Sequence, residues 1–151
     1  MPQTPPIEII ARGLLWRGGH LLLCQNVQAG YCYLPGGHVE FNEPADAACA
    51  REFAEETGLK VTPGACRLVA EVRFEDARAR RHHELNLVFH VEHATPLPDE
   101  IPSREPQIAF LWAEPAQIVD LDVRPAAIKA WLLAGDAETS HPGPIWISSA
   151  E

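Results

Sequence analysis

The chain has no apolar run approaching the roughly 18 residues that suggest a membrane-spanning helix. Its first ten residues, MPQTPPIEII, lack the basic-then-apolar order of a secretory signal. Cysteine is sparse: Cys24, Cys32, Cys49 and Cys66 show no CxxC spacing and sit in apolar or helical stretches. Buried, reduced thiols are the favoured reading over disulfides or zinc ligation, and a cytoplasmic location is the resulting expectation. Positive charge is also short, with 12 Lys and Arg against 21 Asp and Glu and a formal net charge of -9. Such a surface repels a nucleic-acid backbone or an anionic membrane, which argues against a large DNA or RNA partner. A small anionic ligand held through a cation stays compatible, because the ion reverses the local field. No internal repeat is present.

What remains is an ordinary globular composition, 46% hydrophobic and 22% charged over 151 residues, enough for one domain with a single core. The apolar run from Ile7 to Trp16, the break at Arg17-Gly18-Gly19 and the run from Leu21 to Cys24 read as two strands joined by a tight glycine turn. Tyr33-Leu34 is stopped by the turn Pro35-Gly36-Gly37. Asn42-Glu43-Pro44 reads as a helix start, with Asn or Glu accepting from free N–H groups. Ala45 to Thr57, rich in Ala and Glu, predicts a helix, and Gly58 predicts its C-terminal cap.

Cys66 to Phe74 and Leu85 to Val91 predict a long antiparallel hairpin with a charged turn between them. A proline-rich loop from Thr95 to Pro106 leads to a short strand, Ile108 to Trp112. Glu114-Pro115 then opens a helical turn, and Pro125 to Leu133 forms a second full helix. We divide the chain into a domain over 1–135 and a partly ordered tail over 136–151, with Trp146 docked on the body. Helices set among mixed strands point to an α/β or α+β sandwich with a mixed sheet rather than a doubly wound parallel sheet.

The informative stretch is Arg51-Glu52-Phe53-Ala54-Glu55-Glu56-Thr57-Gly58. Positions i, i+3 and i+4 share one helix face, so Glu52, Glu55 and Glu56 present three carboxylates together. Each like-charged pair opposes the helix by roughly 0.2–0.5 kcal/mol, and the C-terminal end of the helix dipole prefers cations. Local electrostatics therefore oppose the arrangement twice. Arg51 has a single charge and cannot neutralise three carboxylates, whereas a hard divalent ion can. A solvated acidic face is the alternative reading of these residues taken alone. Gly36-Gly37, just upstream, would let the backbone approach a ligand and aim a carbonyl at it.

Taken together, Gly37 to Leu59 resembles the signature of the Nudix hydrolase family at every defined position: Gly37, Glu43, Arg51, Glu52, Phe53, Glu55, Glu56, Gly58 and Leu59. Phe53 is bulkier than the aliphatic residue usual there. Seven of these positions are single residue types, each with a background frequency of roughly 6–7%, so a chance match in a chain of this size falls below about one in a million. The match covers 23 of 151 residues. The resemblance implies the family's α/β/α sandwich and metal-dependent hydrolysis of a nucleoside diphosphate linked to another moiety. Mg²⁺ or Mn²⁺ would be held by Glu52, Glu55 and Glu56 with the Gly36 carbonyl. Arg51 would orient the glutamates, and Glu43 would support the loop before the helix. Glu52 is the first choice of general base. Glu105, in the proline-rich loop, is the alternative, ahead of Glu100 and Glu84, and also reads as a solvated loop acid. A homodimer is a family-level expectation that no residue pattern carries.

Substrate identity lies outside the signature. A proline about fifteen residues beyond it marks some ADP-ribose-cleaving subfamilies, and a tyrosine slightly further on marks some acting on dinucleoside polyphosphates. Arg73-Phe74-Glu75-Asp76-Ala77 contains neither. Tyr31, Tyr33, Phe74, Phe110 and Trp112 offer faces on which a base could stack, though each also reads as core packing. Arg78, Arg80, Arg81, His82 and His83 form the one clear basic patch, read as a solvated hairpin tip. A non-catalytic Nudix-like module that binds a nucleotide ligand is the alternative to an enzyme.

Overall fold

The first apolar run does not form one strand. In the computed structural model, which describes residues 3–135 and 143–151, it divides at Leu15 into β1 (Glu8–Leu14) and β2 (Trp16–Arg17), which belong to different sheets. The reason is burial: Leu14 and Leu15 are both buried, yet they enter different core clusters. Successive residues of a continuous strand point to opposite faces, so the chain crosses from one sheet to the next at this point. Gly18 and Gly19, at φ 53° and 80°, then turn β2 back on β3 (His20–Asn26). Two consecutive positive φ values suit a two-residue hairpin turn. The predicted glycine turn is present, but its upstream partner is the two-residue β2.

β1 lies within a five-stranded mixed sheet of order β5 (Gly36–His38), β1, β7 (Arg81–Glu92), β6 (Thr62–Glu75), β9 (Ile145–Ala150). It runs parallel to β7 and antiparallel to β5. In the second sheet β3 pairs with β2, β4 (Cys32–Tyr33) and β8 (Ile108–Ala113). The β6–β7 hairpin is longer than predicted, pairing out to Glu75 and Arg81. His82 and His83 therefore lie in a strand, not at the hairpin tip.

α1 (Ala45–Thr57) has its predicted bounds, and Gly58, at φ 75°, closes it with its N–H donating to the Ala54 carbonyl. Its start differs. Pro44 occupies the capping position and, among the described residues, no side chain caps the helix; the Glu43 carboxylate is taken by Arg51. α2 (Pro115–Ile118) and α3 (Ala126–Leu133) follow β8.

Residues 136–142 of the predicted tail lie outside the described residues. Beyond them, β9 runs parallel to β6 at the edge of the sheet. Its alternation turns Ile145 and Ile147 towards the core and leaves Trp146 59% exposed, so Trp146 is not docked on the body. The Glu151 carboxylate accepts from the N–H groups of Ala126 and Ala127 at 3.2 and 2.8 Å, satisfying the start of α3. Phe53, Cys49 and Ala48 of α1 pack with Ala11, Leu22 and Phe89, while Trp131 and Ile128 of α3 pack with Leu14, Leu23 and Leu68. Helices thus cover the mixed strands from two clusters. Each such large side chain contributes about 1.5–3 kcal/mol of burial.

Candidate active site

β5 is laid against β1 with Gly36 opposite Arg12 and Gly37 opposite Ala11. α1 crosses this strand, and the two glycines decide what can lie there. A Cβ on Gly37 would fall 2.6 Å from either oxygen of the Glu52 carboxylate. The Gly36 φ of 147° is a conformation that side chains rarely adopt, and a Cβ there would strike the backbone of Ala11 and Arg12. Only glycine leaves room for a carboxylate to rest on the strand.

Glu56 reaches the same strand from the last turn of α1 and accepts the Gly36 N–H. Its other oxygen, Oε2, is buried without a hydrogen-bond partner among the described residues. Burial, the Glu52 charge and the Glu105 charge push the Glu56 pKa up to about 7, against the Gly36 N–H and Arg12. A buried carboxylate oxygen without a partner is costly, and Glu52 and Glu105 add negative charge there against Arg12. Carboxylate oxygens gathered in this way suit a hard divalent ion such as Mg²⁺ or Mn²⁺.

Arg51 gathers the acids. Its Nε and Nη2 bind Glu43 at 2.8 and 3.0 Å, its Nη1 reaches Glu52 at 3.0 Å and Glu55 at 3.3 Å, and Nη2 also donates to the His38 carbonyl at 3.0 Å. Hydrogen bonds from Arg51 hold the Glu43 carboxyl below its ordinary range. The contacts with Glu43, in turn, raise the Arg51 pKa. The loop before α1 is thereby tied to the helix through one guanidinium. Glu55, 58% exposed, stands at the solvent side of this group.

A family model of the NUDIX domain matches residues 8–132. The chain belongs to the Nudix family. It is 31% identical over 131 residues to a Mycobacterium tuberculosis (H37Rv) protein named "Putative 8-oxo-dGTP diphosphatase 2", covering 83% of this chain and 85% of that one. It is 30% identical over 129 residues to the CTP pyrophosphohydrolase of Escherichia coli K12, covering 81% and 86%. Among solved structures, the MutT protein from Methanosarcina mazei Go1 superposes with a TM-score of 0.70 at 23% identity, over 93% of this chain and all of that one, a likeness of fold. By family, the chain is a hydrolase acting on acid anhydrides.

The Nudix fold distributes the other candidates. The Glu105 charge acts on Glu56 and Cys24, and its exposed carboxylate accepts from Gln107 at 2.8 Å. Glu100 lines a groove of about 280 Å³ with Ile101, Phe110 and Trp112. Glu84 belongs to the sheet face, hydrogen-bonded by Asn86 at 3.2 Å. Of the aromatics, Arg12 lies over Tyr33 and Arg124 over Tyr31, while Phe74 stacks on His82 at 4.8 Å. Three of the five basic-patch residues are paired: Arg80 with Asp76, His82 with Glu8 and Asp76, and His83 with Glu71; Arg78 and Arg81 are exposed.

Sequence reasoning passed over Arg12 and Asn86. Arg12 donates to Asn86 at 2.8 Å and to the Leu34 carbonyl at 2.9 Å, and its charge acts on Glu56. Asn86 is fully buried. The available signal was a polar residue inside an otherwise apolar strand run, Ile-Ile-Ala-Arg-Gly-Leu and Leu-Asn-Leu-Val.

Proposed function

We propose that this chain is a divalent-metal-dependent hydrolase that cleaves a diphosphate bond in a small nucleotide, a nucleoside diphosphate bearing a further group. Nucleoside triphosphates, including oxidised ones, are the first substrates to try. The observation that carries the reading is the Glu56 oxygen left buried and unpartnered beside Gly36, next to Glu52 seated on Gly37. The curated relatives, named for 8-oxo-dGTP and for CTP, support the substrate class.

In this reading Glu52, Glu55, Glu56 and the Gly36 carbonyl hold Mg²⁺ or Mn²⁺. Such an ion supplies neutralisation of phosphate charge and a lowered pKa for attacking water. Arg51 fixes the directions of Glu52 and Glu55, and Glu43 holds Arg51. Glu52 is held by Arg51 and lodged against Gly37, which suits a ligand. Glu105, exposed to solvent and with its charge acting on Glu56, suits the base, which must reach the attacking water. The four free thiols suit a reducing compartment such as the cytoplasm. We carry a homodimer as the family-level expectation for assembly.

Phosphate release coupled to a phosphatase, across a panel of nucleoside triphosphates and nucleoside diphosphate derivatives, tests the proposal with Mg²⁺, Mn²⁺ or chelator. Metal-dependent turnover that collapses in Glu56→Gln, with the fold intact, is expected. That substitution removes the charge while conserving volume. Metal binding without turnover of any compound would instead favour a nucleotide-binding module, and wild-type rates in Glu56→Gln would show the site to be misplaced.

A further inference from the structure

A second group of metal-ligating side chains lies on the sheet, separate from the α1 glutamates. Glu8 of β1 and Glu84 of β7 are direct partners in the parallel register, and His82 precedes Glu84 by two residues on the same strand face. One ligand atom from each of Glu8, His82 and Glu84 lies within 4.8 Å of the others. Glu8 Oε2 and His82 Nδ1 are 2.9 Å apart, and Glu8 Oε1 is 2.9 Å from Nε2 of His38 on β5. Two donors bound cis to an octahedral ion at bond lengths of about 2.1 Å are separated by about 3 Å, and trans donors by about 4.2 Å. The hydrogen-bonded Glu8–His82 and Glu8–His38 pairs stand at the cis separation, and Glu84 completes the group within 4.8 Å.

The surroundings are also those of a ligand set. His82 turns its other nitrogen to Asp76 Oδ2 at 3.2 Å, the carboxylate–imidazole arrangement that orients metal-bound histidines. Asp76 is itself held by the Arg80 side chain and by the backbone N–H groups of Arg78 and Arg80. Glu84 is held by the Asn86 amide. Glu8 and Glu84 are register partners on adjacent strands, so a dication between them would take a carboxylate from each strand together with the imidazole.

We propose that Glu8, His82 and Glu84 form a second divalent-metal site, with His38 at its rim, selective for ions that accept imidazole, such as Mn²⁺ or Zn²⁺, over Mg²⁺. The site clasps β1 to β7 and, through His38, β5. It is linked towards the α1 glutamates by Glu84, Asn86 and Arg12, joined in series by hydrogen bonds.

The test uses Mn²⁺ alone with the full chain. Bound ions are counted by equilibrium dialysis, and nitrogen ligation is read from electron spin-echo modulation, so the result does not depend on turnover. The Glu52→Gln/Glu56→Gln double variant is expected to keep one Mn²⁺ with nitrogen modulation. Adding His82→Ala abolishes that modulation and the ion. Asp76→Asn weakens binding by about tenfold or more. No nitrogen modulation in the double variant, or modulation that persists without His82, overturns the proposal. Should the His82→Ala protein fail to fold by circular dichroism, Glu84→Gln decides: at least a tenfold weaker affinity supports the site, and an unchanged affinity overturns it.

Discussion

The Glu52 carboxylate rests on the bare Cα of Gly37, its oxygens 2.6 Å from the place a Cβ would occupy. The signature glycine is thus a seat for the first signature glutamate of α1. Gly37 has no positive φ, so alanine is acceptable to the backbone, and the nearest atoms its Cβ would meet are those of the Glu52 carboxyl. Gly37→Ala should therefore displace the carboxylate while leaving the fold in place. We expect turnover to fall about a hundredfold, the scale of a 1 Å misplacement in a catalytic site, with the thermal midpoint shifted by only a few degrees. Steady-state kinetics and a melting curve check it; undiminished turnover would mean that the Glu52 position is not critical.

Glu105→Gln separates ligand from base. Glu105 has contact with Gln107 and the nearby loop, not with Arg51. If it takes the proton from the attacking water, kcat should fall by about 10²–10⁴ while KM and Mn²⁺ affinity hold. A drop below threefold would pass the role to Glu52, whose amide variant should then lose kcat even with metal saturating.

The Ala- and Glu-rich segment closed by Gly58 made α1 legible in the sequence, because helix propensity and capping act locally. The candidate site was legible only in outline. Helical spacing puts Glu52, Glu55 and Glu56 on one face, yet it does not say that Glu52 and Glu56 pack against β5 while Glu55 stays in solvent. That difference arises where the helix crosses a strand, which is a tertiary fact. Arg12 and Asn86 escaped for the same reason. They meet through the parallel pairing of β1 with β7, strands far apart in the chain, and no local pattern specifies that partner. β9 was hidden by its composition: a short edge strand among Gly, Pro and Ser shows too few alternations to stand out from a loop.

The cysteines give a chemical check on the packing. Burial raises all four thiols, Cys49 to about 12, Cys24 well above its ordinary value, and Cys32 and Cys66 less far. Because the thiolate is the reacting form, alkylation of the native protein at pH 8 should be slow at every site, with half-buried Cys66 the fastest. Denaturation should release four reactive thiols. Rapid native labelling of Cys24, Cys32 or Cys49, mapped by mass spectrometry, would contradict the packing described.

Phe53, bulkier than the aliphatic residue usual at its signature position, has its complement in Gly13. A Cβ on Gly13 would come within 2.8 Å of Phe53 Cζ and 3.2 Å of Val91 Cγ1, and the ring is fully buried. Gly13→Ala should therefore overpack the interface between α1 and β1 and cost about 1–3 kcal/mol. Phe53→Leu removes the ring atoms that the new methyl group would strike. In that background Gly13→Ala should cost far less, leaving a coupling energy of about 1 kcal/mol or more. Urea denaturation of the wild type, both single variants and the double variant closes the cycle. Simple additivity would locate the clash at Val91 instead, and the aromatic ring would then have no special claim on the glycine beneath it.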